Sequence, residues 1–278
     1  MSLIGFIGSV FSPWFGWSGR GNPANNCCLN VVTYGAGGRW TMTDRGEAAL
    51  DRSAQRVGIG PSSMEWDGEA VTIHVDELTW PHMTRMRGHV RLIPSAVTEV
   101  ELALTPDGAH IWRPLAPTAR IEVRLGRHGE WDGHGYLDSN FGTRPLEADF
   151  DYWTWGRFPT GDGSVCFYDP VRRDGTRLDF AARFGADGSA EAIAPPPRVP
   201  LRRSLWAVRR ETRGDAGTRA RQTRAMLDTP FYTRSAVTTV LGGREVEGVH
   251  EAIDLRRFSW PVLKPMIALK VPRRARWP

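Results

Sequence analysis

The sequence predicts an all-β fold of antiparallel strands joined in meander order, and three observations carry that expectation. Turn dipeptides recur along the chain: Asp67-Gly68, Asp107-Gly108, Asp132-Gly133, Asp162-Gly163, Asp174-Gly175, Asp187-Gly188 and Gly242-Gly243. Such pairs tolerate the positive φ angles of tight hairpins. Their flanks alternate apolar and polar residues, as in Val71-Thr72-Ile73-His74-Val75 and Ile121-Glu122-Val123-Arg124-Leu125. That period of two marks strands buried on one face. Helical periodicity, in contrast, is confined to two short stretches, residues 147–152 and 218–227. One or two barrels would satisfy this pattern.

The elements follow in order. Residues 1–11 are apolar but carry no early positive charge, and Ser12-Pro13 stops them well short of a bilayer-spanning length. A buried strand or an interfacial contact is expected there, with neither signal peptide nor transmembrane helix. Tyr34-Gly35-Ala36-Gly37-Gly38 is glycine-rich, yet Arg39-Trp40-Thr41-Met42-Thr43 after it reads as a strand and not as a phosphate-binding helix. Two positions could divide the chain. The turn spacing restarts after Arg144-Pro145, and the proline run at residues 194–200 is expected to forbid regular structure. The first is preferred, giving domains of 1–144 and 145–278.

Composition narrows the class. The 278 residues are 41% hydrophobic and 24% charged, enough to bury a core. Twelve tryptophans stand out, and they fit either core filling or an aromatic-lined cavity. Three cysteines, two of them adjacent, argue against a disulfide framework and for a reducing, cytoplasmic setting. The net charge of +5 is concentrated at the C-terminal end. There Arg256, Arg257, Lys264, Lys270, Arg273, Arg274 and Arg276 alternate with Phe258, Trp260, Val262, Leu263, Met266, Ile267, Leu269 and Trp277. That mixture suits an anionic membrane surface. No pattern of a nucleic-acid reader accompanies it.

No dinucleotide fingerprint, P-loop, zinc-protease or serine-hydrolase motif is present, so chemistry must rest on ordinary side chains. Two i, i+2 doublets supply candidates. His110 and Trp112 follow the Asp107-Gly108 turn and share one strand face. Tyr136 and Asp138 share a face in Gly135-Tyr136-Leu137-Asp138-Ser139-Asn140, where His134 and Asn140 join them by the same period. If both faces look into one space, a base, an acid and two aromatics converge there. Each residue also has an ordinary structural reading, as a satisfied core group or part of an Asx turn.

Residues 6–15, Phe-Ile-Gly-Ser-Val-Phe-Ser-Pro-Trp-Phe, with Trp17-Ser18-Gly19-Arg20, and the run Gly135 to Gly142 with Pro145-Leu146-Glu147, resemble the carotenoid 1,2-hydratases, also called hydroxyneurosporene synthases. The similarity extends through Tyr168-Asp169, and the length resembles the shorter members from purple photosynthetic bacteria. The resemblance implies two tandem lipocalin-like barrels, no cofactor, and addition of water to the terminal C1–C2 double bond of acyclic carotenoids such as neurosporene or lycopene. It also implies that His110, Trp112, Tyr136 and Asp138 are catalytic. Asp138 is then expected as the acid and His110 as the base, with Trp14, Phe15 and Trp17 beside the substrate entry. A carotenoid is dissolved in membrane, so the expected location is cytoplasmic, peripheral to the inner membrane. A non-catalytic carotenoid or lipid carrier and a barrel cyclase are the rival readings.

Overall fold

The computed structural model describes residues 1–274, and in it the chain is mostly β-strand. Arg276 and Trp277 lie outside the described residues. The chain forms two compact units, each drawn from separated stretches: residues 1–93, 120–135 and 261–278 in the first, and 94–119 and 136–260 in the second. Arg144-Pro145 therefore falls inside the second unit. The division follows the long hairpin of β10 (His110–Arg124) and β11 (Glu130–Gly142), whose tip half belongs with the first unit and whose base half belongs with the second.

In the first unit, β1 (Ser2–Ile7), β2 (Cys27–Val32) and β3 (Trp40–Met42) make a three-stranded sheet. A meander of β4 (Leu50–Arg52), β5 (Arg56–Ile59), β6 (Ser62–Trp66), β7 (Val71–Leu78) and β8 (Arg85–Pro94) continues into the β10–β11 tip. The apolar start of the chain is thus the strand β1, antiparallel to the fully buried β2. β7 shows why alternation is informative: Val71, Ile73, Val75 and Glu77 are buried while the residues between them are not. Glycine supplies the hairpin reversals, with positive φ at Gly68 in the β6–β7 turn. Two of the turn pairs depart from expectation: Gly163 already opens the strand Gly163–Arg172 without a positive φ, and Asp132-Gly133 is no turn at all. It lies within β11, and the chain reverses earlier, at Gly126 and Gly129, both of positive φ. Helix α1 (Pro13–Trp17) packs in this unit, and Trp14 donates its indole N–H to the Val271 carbonyl at 2.7 Å.

The second unit adds the short β9 (Leu102–Ala103) on β10, the helix α2 (Leu146–Asp149), then β12 (Phe150–Thr160), β13 (Gly163–Arg172), β14 (Phe180–Gly185), β15 (Ala190–Ala192), β16 (Arg198–Leu201), β17 (Arg210–Arg213), β18 (Arg221–Asp228), β19 (Tyr232–Leu241) and β20 (Arg244–Asp254). Its seven-stranded sheet runs β15-β14-β13-β12-β20-β19-β18. This order is an open path, as is that of the longer sheet, so neither closes on itself as the expected barrels would. Two local expectations change as well. Most of residues 218–227 lie in strand β18, from Arg221 on, because β18 pairs with β19 and tertiary pairing overrides a weak helical period. The proline run enters β16, which pairs only with β17, so Pro200 sits on an edge where no ladder donor is missed.

The C-terminal segment forms α3 (Leu255–Phe258), in the second unit, and α4 (Leu263–Lys270), in the first. Its positive charge is partly taken up by ion pairs. Arg273 pairs with the fully buried Asp44, Arg256 with Asp151, and Arg257 with its helix cap Asp254. Arg273 also donates to Asn26 Oδ1 at 2.9 Å, which ties the segment to the start of β2. No described helix is long and apolar enough to cross a membrane.

Candidate active site

One face of the second unit's large sheet is built by cross-strand register. Trp155 of β12 stands opposite Tyr168 of β13 and Glu251 of β20, and Arg157 stands opposite Cys166 and Val249. Tyr168 in turn faces Phe180 of β14. Residues directly opposite share a face, so this side carries an aromatic wall interrupted by a few charges. The base half of the β10–β11 hairpin packs on it. The Trp112 ring meets Tyr168 at 5.5 Å and Phe180 at 5.9 Å, and the Tyr136 ring meets Trp155 at 5.1 Å.

The two doublets come together here. Trp112 is fully buried, and its indole N–H lies 2.9 Å from Asp138 Oδ2 and 3.2 Å from the Tyr136 hydroxyl. Asn140 donates to the same Asp138 oxygen at 3.2 Å. Burial lifts the Asp138 carboxyl above the ordinary carboxylate range, and Glu251 adds to that direction; the Trp112, Tyr136 and Asn140 hydrogen bonds oppose it. The same burial raises the Tyr136 and Tyr168 phenols well above their ordinary range, so both stay neutral donors. Asp138 is therefore a carboxyl that holds its proton more readily than one in water.

His110 is nearly fully buried on the same strand face, with its ring 5.0 Å from Phe150. Its Nε2 is paired with Asp149 Oδ2 at 2.7 Å. Arg144 grips both Asp149 oxygens, at 3.0 and 2.9 Å, and reaches Asp107 at 2.7 Å. The Arg144 guanidinium is the main cause holding Asp149 below the usual carboxylate range. An ionised Asp149 places the imidazole hydrogen on Nε2 and leaves Nδ1 as the acceptor. Gly142 lies beside that nitrogen, and a Cβ there would come within 2.6 Å of it. The bare glycine keeps Nδ1 unobstructed.

The remaining candidates belong to the first unit and not to the second. His134 is exposed, on the part of β11 that belongs with the first unit. Trp14 and Phe15 are packed within the first unit, Trp14 against a core containing Cys28, Met42 and Val271. Trp17 touches Trp14 edge to face at 5.2 Å and is 54% exposed.

Sequence reasoning missed Asp149 and most of the wall. Asp149 lies thirty-nine residues beyond His110, and nothing in the spacing joins them. The wall had a signal, since Trp153-Thr154-Trp155 alternates and would place two indoles on one face. Arg157 had none. It is buried, donates from Nε to the Pro117 carbonyl at 2.6 Å, and stands 5.8 Å from the Tyr136 ring centre. Among the described residues its Nη2 and the Trp155 indole N–H have no hydrogen-bond partner.

Fold and site together define a β-sheet protein that holds a protonatable carboxyl among aromatic rings, the equipment of a general-acid catalyst. The match to known proteins is specific: residues 3–278 fit the family model of the carotenoid hydratase CrtC. The chain belongs to that family. It is 55% identical to the acyclic carotenoid 1,2-hydratase of Cereibacter sphaeroides, over 99% of both chains, and 53% identical to that of Rhodobacter capsulatus, again over 99% of both. Among solved structures it resembles a putative AttH from Nitrosomonas europaea, with a TM-score of 0.53 at 14% identity over 82% of this chain and 86% of that one. That likeness concerns the fold alone.

Proposed function

We propose that the protein is an acyclic carotenoid 1,2-hydratase, adding water across a terminal C1–C2 double bond to leave a tertiary alcohol at C1. The observation that carries the reading is the Asp138 carboxyl, raised by burial and held by Trp112, Tyr136 and Asn140. An alkene is a very weak base, so the reaction needs a positioned acid that is protonated before substrate arrives. With Oδ2 taken by N–H donors, the proton resides on Oδ1 and passes to C2. Positive charge then develops at C1. Trp112, Tyr136, Trp155 and Tyr168 offer π faces to it, each worth about 2 kcal/mol when desolvated. The new Asp138 carboxylate attracts the cation in a medium of low dielectric.

Water attacks C1 from the wall. His110 Nδ1, backed by Asp149, accepts the proton it sheds, and the partnerless Trp155 N–H and Arg157 Nη2 lie farther along the wall. Return of a proton to Asp138 closes the cycle, so no group of the chain is consumed. Family membership supports the substrate class, and the full-length identity to the two named hydratases supports the reaction. We read each open meander as an incompletely closed lipocalin-like barrel. We also place the protein at the cytoplasmic side of a membrane, because its substrate is dissolved there.

Incubation with lycopene and with neurosporene in ¹⁸O-labelled water, followed by mass measurement, tests the reading. The wild type incorporates one labelled oxygen per hydrated end. Asp138→Asn keeps its fold and pigment binding and loses activity by about 10²–10⁴-fold, the usual weight of a general acid. Full activity in Asp138→Asn removes it as the acid. A wild type that binds carotenoid and returns it unchanged is a carrier.

A further inference from the structure

The most exposed large apolar residue of the described chain lies far from the site in sequence, in the turn between β16 and β17. Leu205 is 90% exposed, and Trp206 beside it is 50% exposed. Such residues cost stability in water unless something covers them. The turn that carries them is closely tied down. Ser204 N–H donates to the Val208 carbonyl at 3.1 Å, Ala207 N–H to the Ser204 carbonyl at 2.9 Å, and Val208 N–H to Ser204 Oγ at 3.2 Å. Leu205 N–H donates to Asp228 at 2.7 Å, and Val208 is fully buried as an anchor. Ala207 takes a positive φ of 58°, a strained value for a residue with a side chain. The fold thus holds an apolar tip outward where a relaxed loop could have tucked it in.

The chemistry around the tip points to one partner. The turn reads Arg202-Arg203-Ser204-Leu205-Trp206-Ala207-Val208-Arg209-Arg210, with no acidic residue among them. Arg202 and Arg203 are exposed, and so is Arg209, whose guanidinium is paired with Glu211 at 2.6 Å. A second exposed indole belongs to the same patch: Arg257 donates to the Trp206 carbonyl at 2.7 Å, and Trp260, 51% exposed, donates its backbone N–H to the Arg257 carbonyl at 2.9 Å. Leucine and tryptophan for the acyl boundary, ringed by arginines for the phosphates, are the composition of an interfacial anchor. A nucleic acid would use the arginines but leave Leu205 uncovered.

We infer that the Leu205–Trp206 turn, with Trp260 and the flanking arginines, inserts into the headgroup region of an anionic lipid bilayer. The inference draws on the proposed function only for its purpose, access to a membrane-dissolved substrate; the contact itself stands on the turn.

The full chain is tested for cosedimentation with carotenoid-free vesicles of phosphatidylcholine alone and of phosphatidylcholine with phosphatidylglycerol. In parallel, hydration is assayed on carotenoid in detergent micelles, where no bilayer is needed. The wild type binds the anionic vesicles and binds the neutral ones weakly. L205S/W206S lowers the anionic partition by about tenfold or more, and R202Q/R203Q lowers it about tenfold on anionic vesicles only. Both variants keep the wild-type thermal midpoint and micellar activity. Equal partition of L205S/W206S and wild type overturns the proposal. So does loss of binding in M266S/L269S, on α4, with none in the turn variant. A concentration-dependent dimer that L205S/W206S dissolves, without vesicle binding, assigns the patch to a second copy and also overturns it. Loop-dependent vesicle binding in a protein that hydrates no micellar carotenoid leaves the contact standing and removes the enzymatic reading.

Discussion

Asp138 receives its hydrogen bonds from Trp112, Tyr136 and Asn140, and each of them stabilises the anion against the burial that favours the acid. The balance sets where the site stops working. Only the protonated carboxyl can protonate an alkene, so the hydration rate falls as pH rises through the Asp138 pKa, which lies above the ordinary carboxylate range. Trp112→Phe removes a donor to the anion and raises that pKa further. The alkaline limb of its pH–rate profile is expected to move to higher pH, while kcat falls through loss of indole π density. A limb that stays in place would mean that the indole N–H does not reach Asp138 in the working enzyme. These four residues were legible because a period of two puts i and i+2 on one face, and the resemblance joined the two doublets. Asp149 was not, since the partner of a buried imidazole is chosen by the path of the chain after the doublet has ended.

At the scale of elements, the buried pair between Arg45 and Glu77 shows what holds β7 to the segment that follows β3. Two parallel hydrogen bonds of 2.9 and 2.8 Å join guanidinium and carboxylate, and Ser62 adds a third donor to Glu77 at 3.1 Å. Both side chains are almost wholly shielded from water. Burial lifts the Glu77 carboxyl above its ordinary range, with Arg45 as the chief opposing cause. Glu77→Gln removes the carboxylate that the Arg45 guanidinium grips in a dry interior and is expected to cost about 3–5 kcal/mol in denaturant unfolding. The double variant R45M/E77L, which removes both charges, is expected to cost less. A double variant weaker than the single one would show that the pair contributes more than it costs to bury. The strand itself was readable from alternation, but Glu77 falls on the buried face of that alternation, where an apolar residue is the ordinary expectation.

Across the whole molecule, stability carries the signature of a histidine buried neutral. His250 is enclosed in β20, with Nε2 2.8 Å from the Glu211 carbonyl, and burial drops its pKa from 6.5 to about 4. Between those values the unfolded chain binds a proton that the folded one refuses, so this residue makes stability fall as pH drops through the window. Below about 4 both states are protonated and the loss levels off. The difference amounts to about 3 kcal/mol. His250→Gln, which can still donate to Glu211, should flatten the decline between pH 6.5 and 4 in urea titrations. An unchanged slope would exclude His250 as its source.

The sequence by itself determined that the chain is mostly strand, most of the reversals and the shared face of Tyr136 and Asp138. Turn dipeptides, alternation and i, i+2 spacing are local properties that survive without knowledge of distant neighbours. Tertiary structure alone decided how the long β10–β11 hairpin is divided, so that two units of discontinuous sequence replace a cut at residue 144. It also left the strand paths open. The same pairing turned most of residues 218–227 into strand β18, and folding committed Arg273 to Asp44. The physical reason is common to all of these. Pairing partners and counter-charges are selected by proximity in space, and the burial that raises the Asp138 carboxyl comes from strands distant in sequence.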